Sequence, residues 1–191
     1  PANACRAGGA ACAAKIGEIM GVTVTAQEPV RARVLCSGDC GKAKKKCRYE
    51  GVQDCIAADR MYGSDKACAF GCMGLGTCAD VCRYGAISVQ DGVAHVDPAR
   101  CTGCGACASV CPKHLIALIP ATATQVVDCH STDPGAAVRK VCDAGCIGCK
   151  ICEKACPAGA VRVTDNLAVI DQSLCTHCGT CAAKCPRKVI R

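Results

Sequence analysis

Apolar residues occur along the chain in short segments, and some of these segments alternate apolar and polar positions around a tight-turn sequence. Residues 86–89 and 93–96 flank Gln-Asp-Gly, and an Asp-Gly turn between alternating segments predicts a β-hairpin. Residues 160–163 and 167–170 repeat the pattern around Thr-Asp-Asn. The sequence therefore predicts two β-hairpins of similar length.

Shorter segments predict the remaining elements. Two apolar stretches at 115–119 and 189–190 predict short strands, and Ala-rich stretches predict helices at 10–20, 108–110 and 182–184. Strands and helices do not alternate regularly, which indicates an α+β fold.

The chain contains an internal repeat with a period of 74 residues. Two segments, 68–119 and 142–191, carry matching cysteines around the two hairpins. The aligned cysteines are Cys72, Cys78, Cys82, Cys101, Cys104, Cys107 and Cys111 with Cys146, Cys152, Cys156, Cys175, Cys178, Cys181 and Cys185; Cys55 and Cys68 also align with Cys129 and Cys142. The predicted regions are 1–29, a cysteine-rich region at 30–67, a first module at 68–119, a linker at 120–141 and a second module at 142–191.

Composition changes the picture because 24 of the 191 residues are cysteine and only four are aromatic. Most apolar residues are Ala, Val or Cys, so a core made of side chains alone would be thin. A small chain with this much cysteine holds either disulfides or metal sites. The cysteine spacing distinguishes between these two possibilities.

Three cysteine runs have the spacing C-x2-C-x2-C-x3-C-P of bacterial ferredoxins, in which three thiolates bind one [4Fe–4S] cubane and the fourth binds the other cubane of a pair. Zinc prefers separated cysteine pairs. We therefore expect tandem bacterial-type 2[4Fe–4S] ferredoxin-like modules. The predicted ligand sets of the second module are Cys146, Cys149, Cys152 and Cys185, and Cys175, Cys178, Cys181 and Cys156.

The first module departs from this spacing because Leu75 stands where the second module has Cys149. Cys68 is the nearest replacement. The alternative is a three-ligand or three-iron site with Cys68 free, and Cys142 looks spare. The predicted ligand sets of the first module are Cys68, Cys72, Cys78 and Cys111, and Cys101, Cys104, Cys107 and Cys82.

Four further cysteines upstream of the modules predict a fifth cubane, although their spacing belongs to no general motif. They are Cys36, Cys40, Cys47 and Cys55. The alternative is that some of them are buried thiols, which pack as small apolar side chains. This count leaves Cys5, Cys12, Cys129 and Cys142 without a role.

Charge and motifs exclude several classes of function. The formal charge is +7, but five clusters at about −2 each would bring the total near −3, and aromatic residues for base stacking are lacking, so no nucleic-acid partner is expected. The lysines within 42–46 predict a solvated helix face, or alternatively a docking site for an acidic ferredoxin. No nucleotide motif occurs, and no segment is long and apolar enough to span a bilayer.

Residues 30–191 resemble the cytoplasmic part of the B subunit of Rnf-type complexes, which are ion-pumping ferredoxin:NAD oxidoreductases. The resemblance lies in the segments 34–40, 49–55, 72–78 and 142–152, and the Gly-Leu-Gly sequence around Leu75 belongs to the family pattern. It implies an electron-transfer subunit that accepts low-potential electrons from reduced ferredoxin and passes them to membrane-bound subunits. The subunit would have no substrate-converting active site of its own.

The resemblance extends to the beginning of the chain. Asn3-Ala-Cys5 resembles the end of an N-terminal iron–sulfur domain of that family, so 1–29 is interpreted as a remnant of that domain and a linker. This implies an internal start at Pro1, a membrane anchor outside this chain and a location at the cytoplasmic face of the membrane. The alternative functions are a soluble polyferredoxin that serves another redox enzyme, and a regulatory or cluster-storage protein.

Overall fold

The computed structural model of the chain describes residues 3, 5–24 and 27–191. Within these residues it contains short helices and six strands. The helices are α1 Gly9–Met20, α2 Cys55–Met61, α3 Thr77–Asp80, α4 Ala106–Val110, α5 Gly135–Val141, α6 Ile151–Ala155 and α7 Thr180–Lys184. The strands are β1 Val30–Val34, β2 Ile87–Gln90, β3 Val93–Val96, β4 Ile116–Pro120, β5 Val161–Thr164 and β6 Leu167–Ile170.

Both predicted hairpins are confirmed, with the first strand of each shifted by one residue. β2 pairs with β3 and β5 pairs with β6, each as an antiparallel two-stranded sheet. The turn residues Asp91, Gly92, Asp165 and Asn166 have positive φ angles, as tight hairpin turns require. The predicted helix at 10–20 is also confirmed as α1.

The remaining sheet joins segments that are far apart in sequence. β1 pairs antiparallel with β4, with Val34 opposite Ile116. A shorter pairing of the same kind occurs in the second module, where the amide of Asp128 donates to the carbonyl of Val189 at 2.8 Å. Each module therefore pairs with a segment that precedes its predicted boundary, β1 in the first module and an isolated bridge at Val127 in the second.

The lysine-rich segment is not a helix, so that part of the prediction is wrong. Lys42 lies in a turn, and the residues that follow pair by isolated bridges, Ala43 with Cys142 and Lys45 with Lys66. The backbone amides of Lys44 and Lys46 donate to the carbonyls of Val141 and Asp65. These hydrogen bonds to two other segments favour an extended conformation. Lys45 is also paired with Asp65 at 2.9 Å.

The core consists of two main clusters, one in each module, and both contain cysteines among small apolar side chains. In the first, Cys78 and Cys107 pack with Val93; in the second, Cys152 and Cys181 are packed in the same way. Among the residues that the structure describes, no helix combines the length and the apolar character needed to cross a membrane.

Candidate metal centres

The four cysteine runs share one backbone path, including the run that lacks its middle cysteine. In each run the second and fourth residues after the first cysteine have positive φ angles. Glycine adopts this conformation readily, whereas other residues rarely do, so the path is specified by more than local preference. These residues are Gly74 and Gly76, Gly103 and Gly105, Gly148 and Lys150, and His177 and Gly179.

In the second module the structure brings together the thiols that the sequence assigned to one cluster. The Cys152 thiol has a pKa raised to about 11. Its burial is the largest cause, and the neighbouring thiols of Cys146, Cys185 and Cys149 raise the pKa further. These are the four residues of the predicted set. Because burial disfavours the ionised form of Cys152, a metal cluster bound by these four neighbouring thiols suits the site.

The partner set of the second module shows the same arrangement. Burial raises the pKa of the Cys181 thiol, and the nearby thiols of Cys156 and Cys175 raise it further. Cys156 belongs to the other run of the module, so this contact crosses between the two runs as the ferredoxin pattern requires. The exposed thiol of Cys178 completes the predicted set.

In the first module, one predicted set lines a single cavity. Cys82, Cys101, Cys104 and Cys107 face it together. Two backbone amides donate to these sulfurs, from Ala86 to Cys82 Sγ and from Ala32 to Cys101 Sγ, each at 3.3 Å. Such N–H donors stabilise the negative charge of an iron–sulfur cluster.

The other set of the first module differs from the prediction in one member. Cys55, Cys72, Cys78 and Cys111 line one cavity, while Cys68 does not contribute to it. The pKa of Cys78 is raised to about 12, mainly by burial. The nearby thiols of Cys72, Cys55 and Cys111 contribute to the same shift. The fourth thiol at this cavity thus comes from α2 and not from the residue nearest in sequence.

Contacts around the start of α2 position Cys55. The backbone amide of Cys55 donates to Thr77 Oγ1 at 2.7 Å, and that hydroxyl donates to Asp54 Oδ2 at 3.0 Å. Asp54 is also the N-cap of α2, accepting from the amide of Ala57 at 2.7 Å. Sequence analysis missed Cys55 at this site, although an Asp before a helical segment is a recognisable N-cap signal.

The four upstream cysteines predicted as a fifth set have three different surroundings. Cys55 faces the cavity just described. Cys40 and Cys47 lie near Lys45, whose pKa is raised first by its hydrogen bond with Asp65 and then by these thiols. Cys36 instead lies beside Cys142: the two sulfurs are 3.7 and 3.3 Å from the point that a Cβ on Gly38 would occupy.

Neither disulfides nor a single-ion site account for these cysteines. All 24 thiols are free, and no three His, Cys, Asp or Glu side chains within residues 3, 5–24 and 27–191 are grouped as ligands of one metal ion. The thiolates of a cubane bind different irons, so they are spaced more widely than the ligands of one zinc ion. The thiol sets described above have the composition that four-iron clusters require.

Comparison with known proteins supports this interpretation of both modules. Two families, each described as a 4Fe-4S dicluster domain, match the chain, one over residues 67–115 and the other over residues 145–190. The sequence matches and the paired thiol sets together define an iron–sulfur protein with two ferredoxin-like dicluster domains.

Three relatives identify the particular family. The chain is 47% identical to the B subunit of the proton-translocating ferredoxin:NAD(+) oxidoreductase complex of Clostridium ljungdahlii, covering all of this chain and 68% of the relative. It is 41% identical to the Na(+)-translocating counterpart of Acetobacterium woodii, over 98% of this chain and 57% of that protein. The B subunit of an ion-translocating oxidoreductase complex of Methanosarcina acetivorans is 44% identical, over 100% and 72%. The chain belongs to this family of B subunits, as the sequence resemblance indicated.

Proposed function

We propose that this chain relays single electrons from reduced ferredoxin, through [4Fe–4S] clusters, to membrane-bound partners of an Rnf-type complex at the cytoplasmic face. The family and the dicluster domains fit an iron–sulfur electron relay in such a complex. The supporting observation in the structure is that four loops of one backbone path each hold cysteines near a cysteine of the paired loop. The donor and the location follow the family resemblance.

The proposed ligand sets follow the grouping of thiols in the structure. Four clusters occupy the two modules, two in each. Their ligands are Cys55, Cys72, Cys78 and Cys111; Cys101, Cys104, Cys107 and Cys82; Cys146, Cys149, Cys152 and Cys185; and Cys175, Cys178, Cys181 and Cys156.

The chain's own groups prepare these sites for a charged cofactor. When bound, a [4Fe–4S] cluster supplies reversible one-electron chemistry without bond breaking in the protein. The protein holds the thiols in place and offers amide donors, such as the Leu115 amide that lies 3.4 Å from Cys111 Sγ. Burial raises the pKa of the thiols of Cys72, Cys78 and Cys107, so cluster loading at neutral pH releases protons from them.

Anaerobic reconstitution followed by rapid mixing with reduced ferredoxin tests the relay. We expect fast one-electron reduction of several clusters, seen by absorbance bleaching and by low-temperature EPR. Cys149→Ala should remove about four iron atoms per chain and slow electron passage, whereas Cys40→Ala, a thiol outside the four sets, should change neither. Undiminished iron and transfer in Cys149→Ala would refute the ligand assignment.

The alternative of a soluble polyferredoxin predicts a different behaviour of the complete gene product. A relay subunit should co-purify from membranes with flavin-bearing partners. Recovery of the complete product as a free soluble holoprotein would contradict a role in a membrane complex, even if ferredoxin reduces its clusters quickly.

A further inference from the structure

Four thiols outside the four module sets converge between the two modules. They are Cys36, Cys68, Cys129 and Cys142. The sulfurs of Cys36 and Cys142 lie within about 7 Å of each other, the largest separation that their distances from the Cβ position of Gly38 allow. Burial raises the pKa of the Cys68 and Cys142 thiols, and the charge of Cys36 raises both further.

The fourth thiol of this group also lies near Cys36. Burial raises the pKa of Cys129 to about 11. The nearby thiols of Cys146 and Cys36 make smaller contributions to this rise. Cys36 thus interacts with the other three thiols. Two of the four belong to segments of the first module and two to segments of the second, so the group spans the boundary between the modules.

The four residues form two structurally equivalent pairs. Cys36 and Cys129 each follow a segment that pairs with the end of its module: the amides of Leu35 and Asp128 donate to the carbonyls of Leu115 and Val189 at 2.7 and 2.8 Å. Leu115 and Val189 are equivalent in the 74-residue repeat. In the structure Cys129 therefore corresponds to Cys36, although the sequence repeat aligned it with Cys55.

Backbone hydrogen bonds support the same equivalence. The amide of Cys72 donates to Cys36 Sγ at 3.4 Å, and the amide of Cys146, its repeat partner, donates to Cys129 Sγ at 3.3 Å. N–H donors of this kind stabilise the negative charge of an iron–sulfur cluster. Both sulfurs consequently lie beside the first cysteine of a module run.

The second pair is held by the segment 42–46. Ala43 bridges to Cys142, and the amide of Ala67, which precedes Cys68, donates to the carbonyl of Lys44 at 2.7 Å. One short segment therefore fixes Cys68 on one side and Cys142 on the other. Gly38 leaves room at this point, because a Cβ there would also lie 3.3 Å from Ala43 Cβ.

We propose that Cys36, Cys68, Cys129 and Cys142 bind a [4Fe–4S] cluster that bridges the two modules. Four thiols from four separate segments, with amide donors to two of them, are the donor set that such a cluster requires. The proposal leaves Cys5, Cys12, Cys40 and Cys47 outside any cluster.

The position gives this cluster a role in the relay, a point that rests on the proposed function. It lies next to Cys72 of one module and Cys146 of the other, between the sets containing those residues. A reduced 1+ cluster in one module would return to 2+ as the bridging 2+ cluster becomes 1+, and the electron would then pass to the other module. No proton or bond changes in this step.

Iron content of single variants in the full chain, reconstituted anaerobically, tests the site without any ferredoxin present. We expect Cys129→Ala and Cys142→Ala each to lose about four of about 20 iron atoms per chain. Matched controls are Cys40→Ala and Cys47→Ala, which remove thiols that only the sequence-based set requires and should keep all the iron. EPR should still show the module clusters in every variant, which establishes that each variant folds.

Three outcomes would overturn the proposal. The first is full iron content in both Cys129→Ala and Cys142→Ala. The second is loss of about four iron atoms in Cys40→Ala or Cys47→Ala, which would return the cluster to the upstream cysteines. The third is a stoichiometric zinc ion in the wild-type chain that disappears in Cys142→Ala. If an Ala variant also loses its module clusters, the variants Cys36→Ser and Cys68→Ser replace it in the same comparison of iron content.

Failure of ferredoxin to reduce the intact protein would contradict only the proposed function and not this ligand set.

Discussion

The two modules bring four thiols to equivalent places by different routes. In the second module one run supplies three thiols, including Cys149 at its middle position. In the first, Leu75 occupies that position and the fourth thiol, Cys55, comes from α2. The loop around Leu75 nevertheless keeps the positive φ angles of the regular runs.

The difference shows that the backbone loop and the middle ligand are separable. The loop places the first and third cysteines whether or not the middle residue is a cysteine, because its shape depends on positions such as Gly74 and Gly76. The missing thiol can then come from elsewhere if another element is fixed against the loop. In the first module the Asp54–Thr77 contacts and the Lys113–Asp59 ion pair, at 2.6 Å, fix α2 there.

Removing iron should have the largest effect and should affect both modules alike. The hydrophobic cores of the two modules consist largely of cysteines and small apolar residues. Without iron, the thiol sets therefore lack the contacts that hold the loops. Structural metal sites contribute on the order of 10 kcal/mol, comparable to the whole stability of a domain. We expect anaerobic chelation to abolish the cooperative melting transition in circular dichroism. A cooperative transition that survives complete iron removal in either module would contradict a shared dependence on clusters.

A rescue experiment tests the unequal routes directly. Cys55→Ala should lose about four iron atoms, and adding Leu75→Cys should restore them, because the loop already has the shape of the regular run. Cys68→Ala should also lose iron, but Leu75→Cys should not restore it, since Cys68 lies in a different thiol group. Iron analysis and EPR of the four variants measure this.

The opposite rescue pattern would favour the ligand set predicted from the sequence. If Leu75→Cys restores iron to Cys68→Ala and not to Cys55→Ala, then Cys68 is the replacement ligand. Retention of all iron in Cys55→Ala would favour the three-ligand alternative.

The sequence predicted the local features well because they depend on local spacing. The hairpins follow from turn residues, α1 from an Ala-rich stretch, and the regular runs from cysteines with two or three residues between them. The dicluster domains followed from the same runs, and the family from the segments 34–40, 49–55, 72–78 and 142–152. The proposed ligand sets at Cys55 and Cys36 could not be predicted in this way, because they depend on which distant segments pack together. The alignment of Cys55 with Cys129 was a coincidence of spacing, since the strand pairing makes Cys36 the structural counterpart.

A buried ion pair tests how the modules are joined. Arg33 on β1 donates to both carboxylate oxygens of Asp128, at 2.9 and 2.6 Å, and the Asp128 side chain is 7% exposed while that of Arg33 is 34% exposed. Arg33→Ala leaves a buried carboxylate unpaired and should cost about 3–5 kcal/mol. Asp128→Asn leaves a partly solvated guanidinium and should cost less.

Denaturant unfolding of the holoprotein measures both effects. The exposed pair Arg48–Glu50 supplies the control, since Arg48→Ala should change the free energy of unfolding by less than about 1 kcal/mol. Equal effects of Arg33→Ala and Arg48→Ala would show that the Arg33–Asp128 pair does not hold the modules together.

Two threonines at matching positions allow a finer comparison. Thr77 and Thr180 each precede the third cysteine of a run, but Thr77 binds the Cys55 amide and Asp54, whereas Thr180 lies 3.3 Å from the exposed Cys178 sulfur. Thr77→Val should cost about 1–2 kcal/mol and speed iron loss from the first module. Thr180→Val should have a smaller effect on both. Iron release to a chelator over time is the measurement, and equal rates in the two variants would contradict the positioning role of Thr77.

The smallest expected effect concerns a lysine that is buried in the first copy of the repeat and exposed in the second. Lys66 is 2% exposed and donates to the carbonyls of Gly38 and Gly92, both at 2.7 Å, whereas Lys140, its partner in the repeat, is exposed. Lys66 lies close enough to favour the thiolate of Cys72. A nearby cation stabilises the more negative, reduced form of a cluster, so Lys66→Met should lower the reduction potential of the cluster at Cys72. The effect should be on the order of 1 kcal/mol, or some tens of mV for one electron.

Lys66→Arg should keep most of the wild-type potential, and Lys140→Met should leave all potentials unchanged in an EPR-monitored redox titration. An equal shift in Lys66→Met and Lys140→Met would mean that the buried position of Lys66 has no part in setting the potential.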